Sequence, residues 1–390
     1  MRCPFGKLAV LSLVMVLLIA LSACGEGSTP TSAATPAATP TPSQTPTPTP
    51  GPAEVTVTSN RALLDFPDSI AFLLEASSAL PVASIDLEYG TDKRSLVSEF
   101  SRVEPEYAPG VRIRASYTWQ MKKTGSIPPG AKVWWRWRIT DQSHRTYLTQ
   151  RKTFVFEDTR YDWRIETAQH MDIYWHSLGA SLAGELASGE ETKLSRVKLE
   201  VHIPEERKPR VFVYADSEEV RSAVLFTHEW TGALAFFDYN IILIPVGPDD
   251  LEWGKRALAH EITHLLVREA TYGLFGDIPN WLNEGLATYA EGELMPYEQE
   301  ALDQAIADNG LLSLRSLGSG FPADPDKATL AYAQSNSLVC YLIETYGWDK
   351  ISDLLFMFKE GNTYDNALQE VYSFDTDGLE ERWQLYLGID

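Results

Sequence analysis

Cysteine is almost missing from this chain: there are three among 390 residues, and two of them, Cys3 and Cys24, fall in the first 24 positions. The one that remains, Cys340, cannot close an intrachain bridge, so a disulfide scaffold is excluded and stability has to come from core packing. Cys340 sits in Ser337-Leu338-Val339-Cys340-Tyr341-Leu342, the setting of a small buried hydrophobe rather than of a nucleophile. Positive charge is scarce too, with 33 Lys and Arg against 54 Asp and Glu and a formal net charge of -21. Such a balance excludes nucleic acid as a partner, because the phosphate backbone demands a basic footprint. It also disfavours docking on anionic lipid, so any membrane attachment should be covalent or by insertion. Long apolar runs are lacking beyond residues 8–23, and that run falls short of the roughly 18 or more residues of a stable membrane helix.

What stands at the N-terminus is a short basic stretch with Arg2 and Lys7, then the apolar run, then small residues: a secretory signal sequence over residues 1–23. Its removal leaves a net charge of about -23, since only Arg2 and Lys7 leave with it. Leu21-Ser22-Ala23-Cys24 resembles the bacterial lipobox, which implies cleavage before Cys24 and lipidation there. Residues 24–53 are dominated by Thr, Pro, Ala and Ser and include Thr45-Pro46-Thr47-Pro48-Thr49-Pro50. With so few apolar side chains this stretch cannot build a core and reads as an extended tether.

Residues 54–157 switch to short alternating segments bounded by turn residues, such as Val55-Thr56-Val57-Thr58, Ala71-Phe72-Leu73-Leu74-Glu75 and Ile85-Asp86-Leu87-Glu88-Tyr89. In Val133-Trp134-Trp135-Arg136-Trp137-Arg138-Ile139 the period of two predicts Val133, Trp135, Trp137 and Ile139 inward, with Arg136 and Arg138 toward water. Strands at this density predict a small all-β sandwich similar to immunoglobulin modules. Its many aromatics are read as core packing before any carbohydrate-binding use.

From residue 158 the pattern is mixed. Strands are predicted at 208–214, 233–237 and 240–244, the last closed by Pro245, and a capped helix start at Asp216-Ser217-Glu218-Glu219. Helical periodicity dominates after Leu251, broken at Gly310, at 318–322 and at Gly347.

The chemistry-bearing stretch is Ala257-Leu258-Ala259-His260-Glu261-Ile262-Thr263-His264-Leu265-Leu266. Residues four apart on a helix sit one turn above each other, so both imidazoles project from one face and can share a tetrahedral metal. Leu258, Ile262, Leu265 and Leu266 turn another face to the core, and Glu261 is placed to take a proton from an attacking water. With only seven histidines in the chain, such a motif arises by chance in about one sequence in a hundred. A zinc enzyme needs a third protein ligand and an open position. Val267 and Ala270 stand where the metzincin pattern requires Gly and His, which disfavours that family. Glu284, in Pro279-Asn280-Trp281-Leu282-Asn283-Glu284-Gly285-Leu286-Ala287-Thr288-Tyr289, is the natural third ligand, with Glu269, Asp277, Glu291 and Glu293 as competitors. The small residues beside it suit a second helix packed closely on the first.

This arrangement resembles the gluzincins, and Trp281-Leu282-Asn283-Glu284-Gly285-Leu286-Ala287 is specifically similar to the peptidase MA-like metallohydrolases; the resemblance covers roughly the last half of the chain. It implies zinc held by His260, His264 and Glu284, with Glu261 as general base and acid. The thermolysin-like branch carries an aspartate four residues after the glutamate ligand, whereas here that place is Thr288, so the group that orients a ligand histidine is unassigned. Ala331-Tyr332-Ala333-Gln334-Ser335 resembles the family's later motif, and Tyr332 is the first candidate for the oxyanion donor, with Tyr341 and His228 behind it. The same resemblance implies that the strand at 240–244 borders the cleft.

The expectation is therefore a multidomain protein, an all-β immunoglobulin-like sandwich at 54–157 followed by an α+β zincin-like domain at 158–390 with a helical C-terminal half. Its implied work is zinc-dependent cleavage of a peptide or protein substrate outside the cytoplasm, with Cys24 anchoring it to the bacterial cell membrane. The alternative is an inactive zinc-binding surface protein or adhesin that acts through its sandwich; an intact Glu261 speaks against it, because a binding module needs no base there.

Overall fold

The computed structural model describes residues 54–389, apart from 98, 170, 200–206, 226–232 and 274–276. The leader 1–23, Cys24, the tether and His228 lie outside the described residues. No helix among the described residues is long and apolar enough to cross a membrane.

Two antiparallel sheets come first. One runs in the order β1 (Val55–Asp65), β2 (Ser69–Ser78), β6 (Arg112–Gln120), β5 (Glu106–Tyr107). The other runs β4 (Ser101–Val103), β3 (Val82–Thr91), β7 (Lys132–Asp141), β8 (Thr146–Leu148), with β9 (Lys152–Val155) also paired to β7. A single helical turn, α1 (Met121–Thr124), follows β6. The sheets meet through alternate side chains: Ile70, Phe72 and Leu74 of β2 and Ile113 of β6 share a core with Ile85 and Leu87 of β3. The predicted inward set of β7, Val133, Trp135, Trp137 and Ile139, is buried in the same core. Phe72 touches it at a ring separation of 5.7 Å from Trp135.

The outer face of β7 differs from the simple polar face expected. Arg136 and Arg138 turn toward Glu88 on the neighbouring β3, whose side chain is 0% exposed. Arg136 Nε donates at 2.6 Å, Arg138 Nε at 3.0 Å and Arg102 Nη2 at 2.7 Å. Burial alone would raise the Glu88 carboxyl, but the three guanidinium groups outweigh it and hold it below the usual carboxylate range.

A third sheet has the order β10 (Arg164–Thr167), β11 (Asp172–Trp175), β12 (Arg210–Tyr214), β14 (Ile241–Pro245), β13 (Leu234–Phe236). Strands β11, β12 and β14 are parallel, while β10 and β13 run antiparallel at the two edges. The continuous apolar runs of β12 and β14 follow from burial on both faces. Phe212, Tyr214, Ile241 and Leu243 join the core of the two-sheet region, whereas Val211, Val213, Ile242 and Ile244 face the helices. Packing is thus continuous across residue 157. The strand expected to border the cleft, 240–244, is an interior strand; the border belongs to β13, because a strand as apolar as β14 needs a neighbour on each side.

Helix α2 (Ala180–Leu194) lies on the third sheet and α3 (Ser217–Ala223) starts at the predicted cap, where Asp216 accepts from the amides of Glu218 and Glu219. Then follow α4 (Leu251–Ala270), α5 (Asn280–Glu291), α6 (Pro296–Ala307), α7 (Leu314–Leu317), α8 (Pro325–Tyr346), α9 (Trp348–Lys359), α10 (Tyr364–Tyr372) and α11 (Thr376–Tyr386). The three predicted breaks fall between helices, and Gly347, at φ 87°, ends α8; helices also end at Ala270, Glu291, Lys359 and Tyr372, where no break was predicted. Cys340 is buried on α8, its Sγ 3.6 Å from Asn336 Oδ1.

Candidate metal centre

Helix α4 has two working faces. Leu258, Ile262 and Leu265 pack on the third sheet with Ile242 and Ile244. This anchors the helix and turns His260 and His264 away from the sheet toward α5. Helix α5 is held on its other side by α8, and Gly285 sets the spacing: a β-carbon there would run into the Ser335 carbonyl and lie 2.6 Å from Val339 Cγ2. The small residue beside Glu284 therefore admits α8, not α4 as the sequence suggested. Glu284, one position earlier, faces α4.

The result is a convergence of three side chains whose ligand atoms all lie within 4.8 Å of one another: His260, His264 and Glu284. His260 Nε2 and His264 Nε2 are 3.0 Å apart. Glu284 Oε2 lies 3.4 Å from the first and 3.5 Å from the second.

The far nitrogens explain what this geometry requires. His260 Nδ1 is 2.8 Å from Glu291 Oε1, and His264 Nδ1 is 3.0 Å from Asn283 Oδ1. Both partners are acceptors, so each ring donates its Nδ1–H outward and presents a bare Nε2 lone pair inward. Two lone pairs and a carboxylate oxygen face one another with no proton among them, which is repulsive unless a cation sits between them. The donor set of two imidazoles and one carboxylate suits zinc. Without a metal the same demand falls on a proton. Burial works against the His260 imidazolium, yet hydrogen bonds to Glu284 and Glu291 outweigh it and push the group up to about 10. For Glu284 burial raises the carboxyl, and the two histidines outweigh that and pull it down to about 2.

Two supporting residues went unassigned from sequence. The sequence alone gives Asn283 no role and makes Glu291 only a competing ligand. Glu291 is seven residues after Glu284, two turns along the same face, and Arg256 Nη2 holds its other oxygen at 2.9 Å. It stands in for the aspartate that Thr288 replaces; the Thr288 hydroxyl bonds back to the Glu284 carbonyl at 2.9 Å. The other competitors go elsewhere. Glu269 pairs with Arg94, Asp277 is an exposed wall residue of a neighbouring cavity, and Glu293 is exposed.

Glu261 lies close enough for its charge to act on both His260 and Tyr332. Tyr332 on α8 has its ring centroid 6.4 Å from that of His260 and is braced edge-on by Phe321 at 5.0 Å. Its phenol is pushed up to about 12, first by burial and then by Glu284, Glu261 and Glu291, so at neutral pH it is a donor. Tyr341 is not at the centre. Nine residues further along α8 it lies on the opposite face, in the C-terminal helical core, with its hydroxyl 3.3 Å from that of Tyr346.

A cavity of about 490 Å³ opens beside His264 and Asn283. Its walls include Phe236, Phe237, Tyr239, Val267 and Arg268. Phe237 is 37% exposed and stands edge-on to His264 at 6.0 Å.

Two histidines one helical turn apart, a glutamate from the next helix and a spare carboxylate beside them define the class of HExxH metallohydrolases. The family model described as "Peptidase MA superfamily" matches residues 194–388, half of the chain, and the protein belongs to that superfamily. No curated protein is significantly similar to the chain. Among solved structures, the one titled "Crystal structure of Br derivative BhCBM56" is 7% identical, with a TM-score of 0.18, over 27% of this chain and 99% of its own. So faint a likeness says nothing about fold or ligand.

Proposed function

We propose that this protein is a zinc-dependent peptidase of the bacterial cell envelope, anchored by lipid on Cys24 and hydrolysing peptide bonds in peptides or proteins. Membership of the Peptidase MA superfamily suggests a peptidase-like function. The observation that carries the finer reading is the inward pair of Nε2 atoms, 3.0 Å apart, with Glu284 closing the triangle.

His260, His264 and Glu284 would hold the ion, while Glu291 and Asn283 fix the tautomer and tilt of each ring. When bound, zinc supplies Lewis acidity, lowering the pKa of water from 15.7 toward about 7 and polarising the scissile carbonyl. Glu261, one residue from the first ligand, takes the proton of the attacking water and later delivers it to the departing amine. Tyr332 keeps its proton at neutral pH and donates a hydrogen bond to the oxygen on which negative charge develops. The lipobox-like Leu21-Ser22-Ala23-Cys24 and the Pro/Thr-rich tether support the location.

Glu261→Gln tests the assignment. Zinc content of the purified chain should stay at one ion, while cleavage of a peptide library falls by at least about a thousandfold. A chain that holds zinc and cleaves nothing in either form is a binder, and the peptidase reading is then wrong.

A further inference from the structure

The two-sheet region reaches into the neighbourhood of the metal centre through the segment after β3. Thr91 Oγ1 lies 3.1 Å from the Tyr239 hydroxyl. The Arg94 amide donates to the Asp238 carbonyl at 2.8 Å, and Lys93 Nζ is 3.7 Å from an Asp238 carboxylate oxygen. The Arg94 guanidinium pairs with Glu269 and lies over the Tyr272 ring at 3.4 Å from its centroid. Arg94 thus ties two pieces of chain together, with its backbone amide on the single 3₁₀ turn Phe237–Tyr239 that continues edge strand β13, and its side chain on the last turn of α4, which begins one turn beyond His264.

Both pieces line the cavity beside His264, the first with Phe237 and the second with Arg268. Between them Arg268 and Asp238 form an ion pair at 3.6 Å, partly exposed to solvent, a pairing worth little by itself. The 3₁₀ turn has no side-chain cap of its own. Among the described residues it is held by the Arg268 pair, by a 3.4 Å bond from Arg210 Nη2 to the Tyr239 carbonyl, and by Thr91, Lys93 and Arg94 of the two-sheet region.

We propose that Arg94 is a positioning residue for substrate binding: it fixes the wall bearing Phe237, so that the N-terminal two-sheet region sets the width of the substrate cleft beside His264. The inference rests on the peptidase reading for its consequence in turnover, but not for the holding role itself. Arg94 touches no ligand of the metal centre, and its loss should weaken ground-state and transition-state binding alike, a KM effect.

The test uses the zinc-loaded full chain and the variants Arg94→Ala, Arg94→Lys and Thr91→Val. Amide hydrogen exchange is followed in residues 234–240 and 266–272, with α5 as internal reference, and KM and kcat are measured on a cleaved peptide. For Arg94→Ala, which keeps the backbone bond to Asp238 but unties the turn from α4, we expect exchange to rise at least about fivefold in 266–272 and about twofold in 234–240, KM to rise roughly five- to tenfold, kcat to stay within about twofold and zinc content to be unchanged. Arg94→Lys, which keeps the charge for Glu269, should recover part of both effects, and Thr91→Val should loosen residues 234–240 alone. If Arg94→Ala does not fold, Thr91→Val decides. Unchanged exchange at 234–240, looser walls with unchanged KM, or a fall in kcat accompanied by zinc loss would each overturn the proposal. If the unmodified chain cleaves no peptide while the exchange results hold, the peptidase reading falls and the holding role stands.

Discussion

Glu88 and Glu284 are both carboxylates withdrawn from solvent, and the contrast between them separates architecture from chemistry. Around Glu88 the chain supplies its own compensation, with Arg102, Arg136 and Arg138 all donating to its two oxygens. Around Glu284 it supplies two imidazoles whose protons are engaged elsewhere, by Glu291 and Asn283. One site is electrically complete. The other has room for a cation, met by a proton on His260 where no metal is held, and the difference lies in where the neighbouring protons point rather than in how buried the carboxylate is.

Removing the incomplete carboxylate should have the largest effect. Glu284→Ala leaves two ligands of three, and zinc content measured by atomic spectroscopy should fall to background together with all peptide cleavage, while the far-ultraviolet circular dichroism is retained. A smaller loss is expected one layer out. Glu291→Gln keeps an acceptor for His260 Nδ1 but discards the charge shared with Arg256, so zinc affinity measured by chelator competition should weaken about 10- to 100-fold with the ligands intact.

The complete carboxylate should respond in stability alone. Glu88→Gln breaks charge-assisted hydrogen bonds in a buried setting and should cost about 3 kcal/mol in urea unfolding at neutral pH, without changing zinc content. The pH dependence follows from the sign of the shift. Because the folded protein holds Glu88 below the ordinary carboxylate range, its contribution is fully present above the unfolded value near 4.3 and is lost as pH falls through the folded one. The unfolding free energies of the unmodified chain and of Glu88→Gln should therefore converge in acid and separate toward neutrality. Parallel curves down to pH 2 would remove Glu88 from the account.

The same contrast marks what could be read from the amino-acid order. Periodicity alone put Trp135 and Trp137 inside and aligned His260 with His264, because both patterns are local geometry on one strand or one helix. Glu284 was reachable because its helix directly follows. What escaped depended on partners distant in the chain. Arg136 and Arg138 looked like an ordinary wet face until β3 brought Glu88 beneath them. Glu291 looked like a rival ligand because only the packing of α5 against α4 shows that it reaches the outer nitrogen of His260 and not the inner one. Helical geometry alone separates Tyr341 from Tyr332, since nine residues place the two half a turn apart. The order of the third sheet could not, because strand neighbours are a tertiary choice.

Gly285 carries a consequence beyond its own position. Helices α5 and α8 approach until the space for a single methyl group is gone, and each carries one of the residues proposed for the centre, Glu284 on one and Tyr332 on the other. Any larger side chain would act as a wedge, shifting both proposed residues in one movement. The tolerance of the whole centre is thereby set at a residue with no chemistry to offer, one that works only by being small.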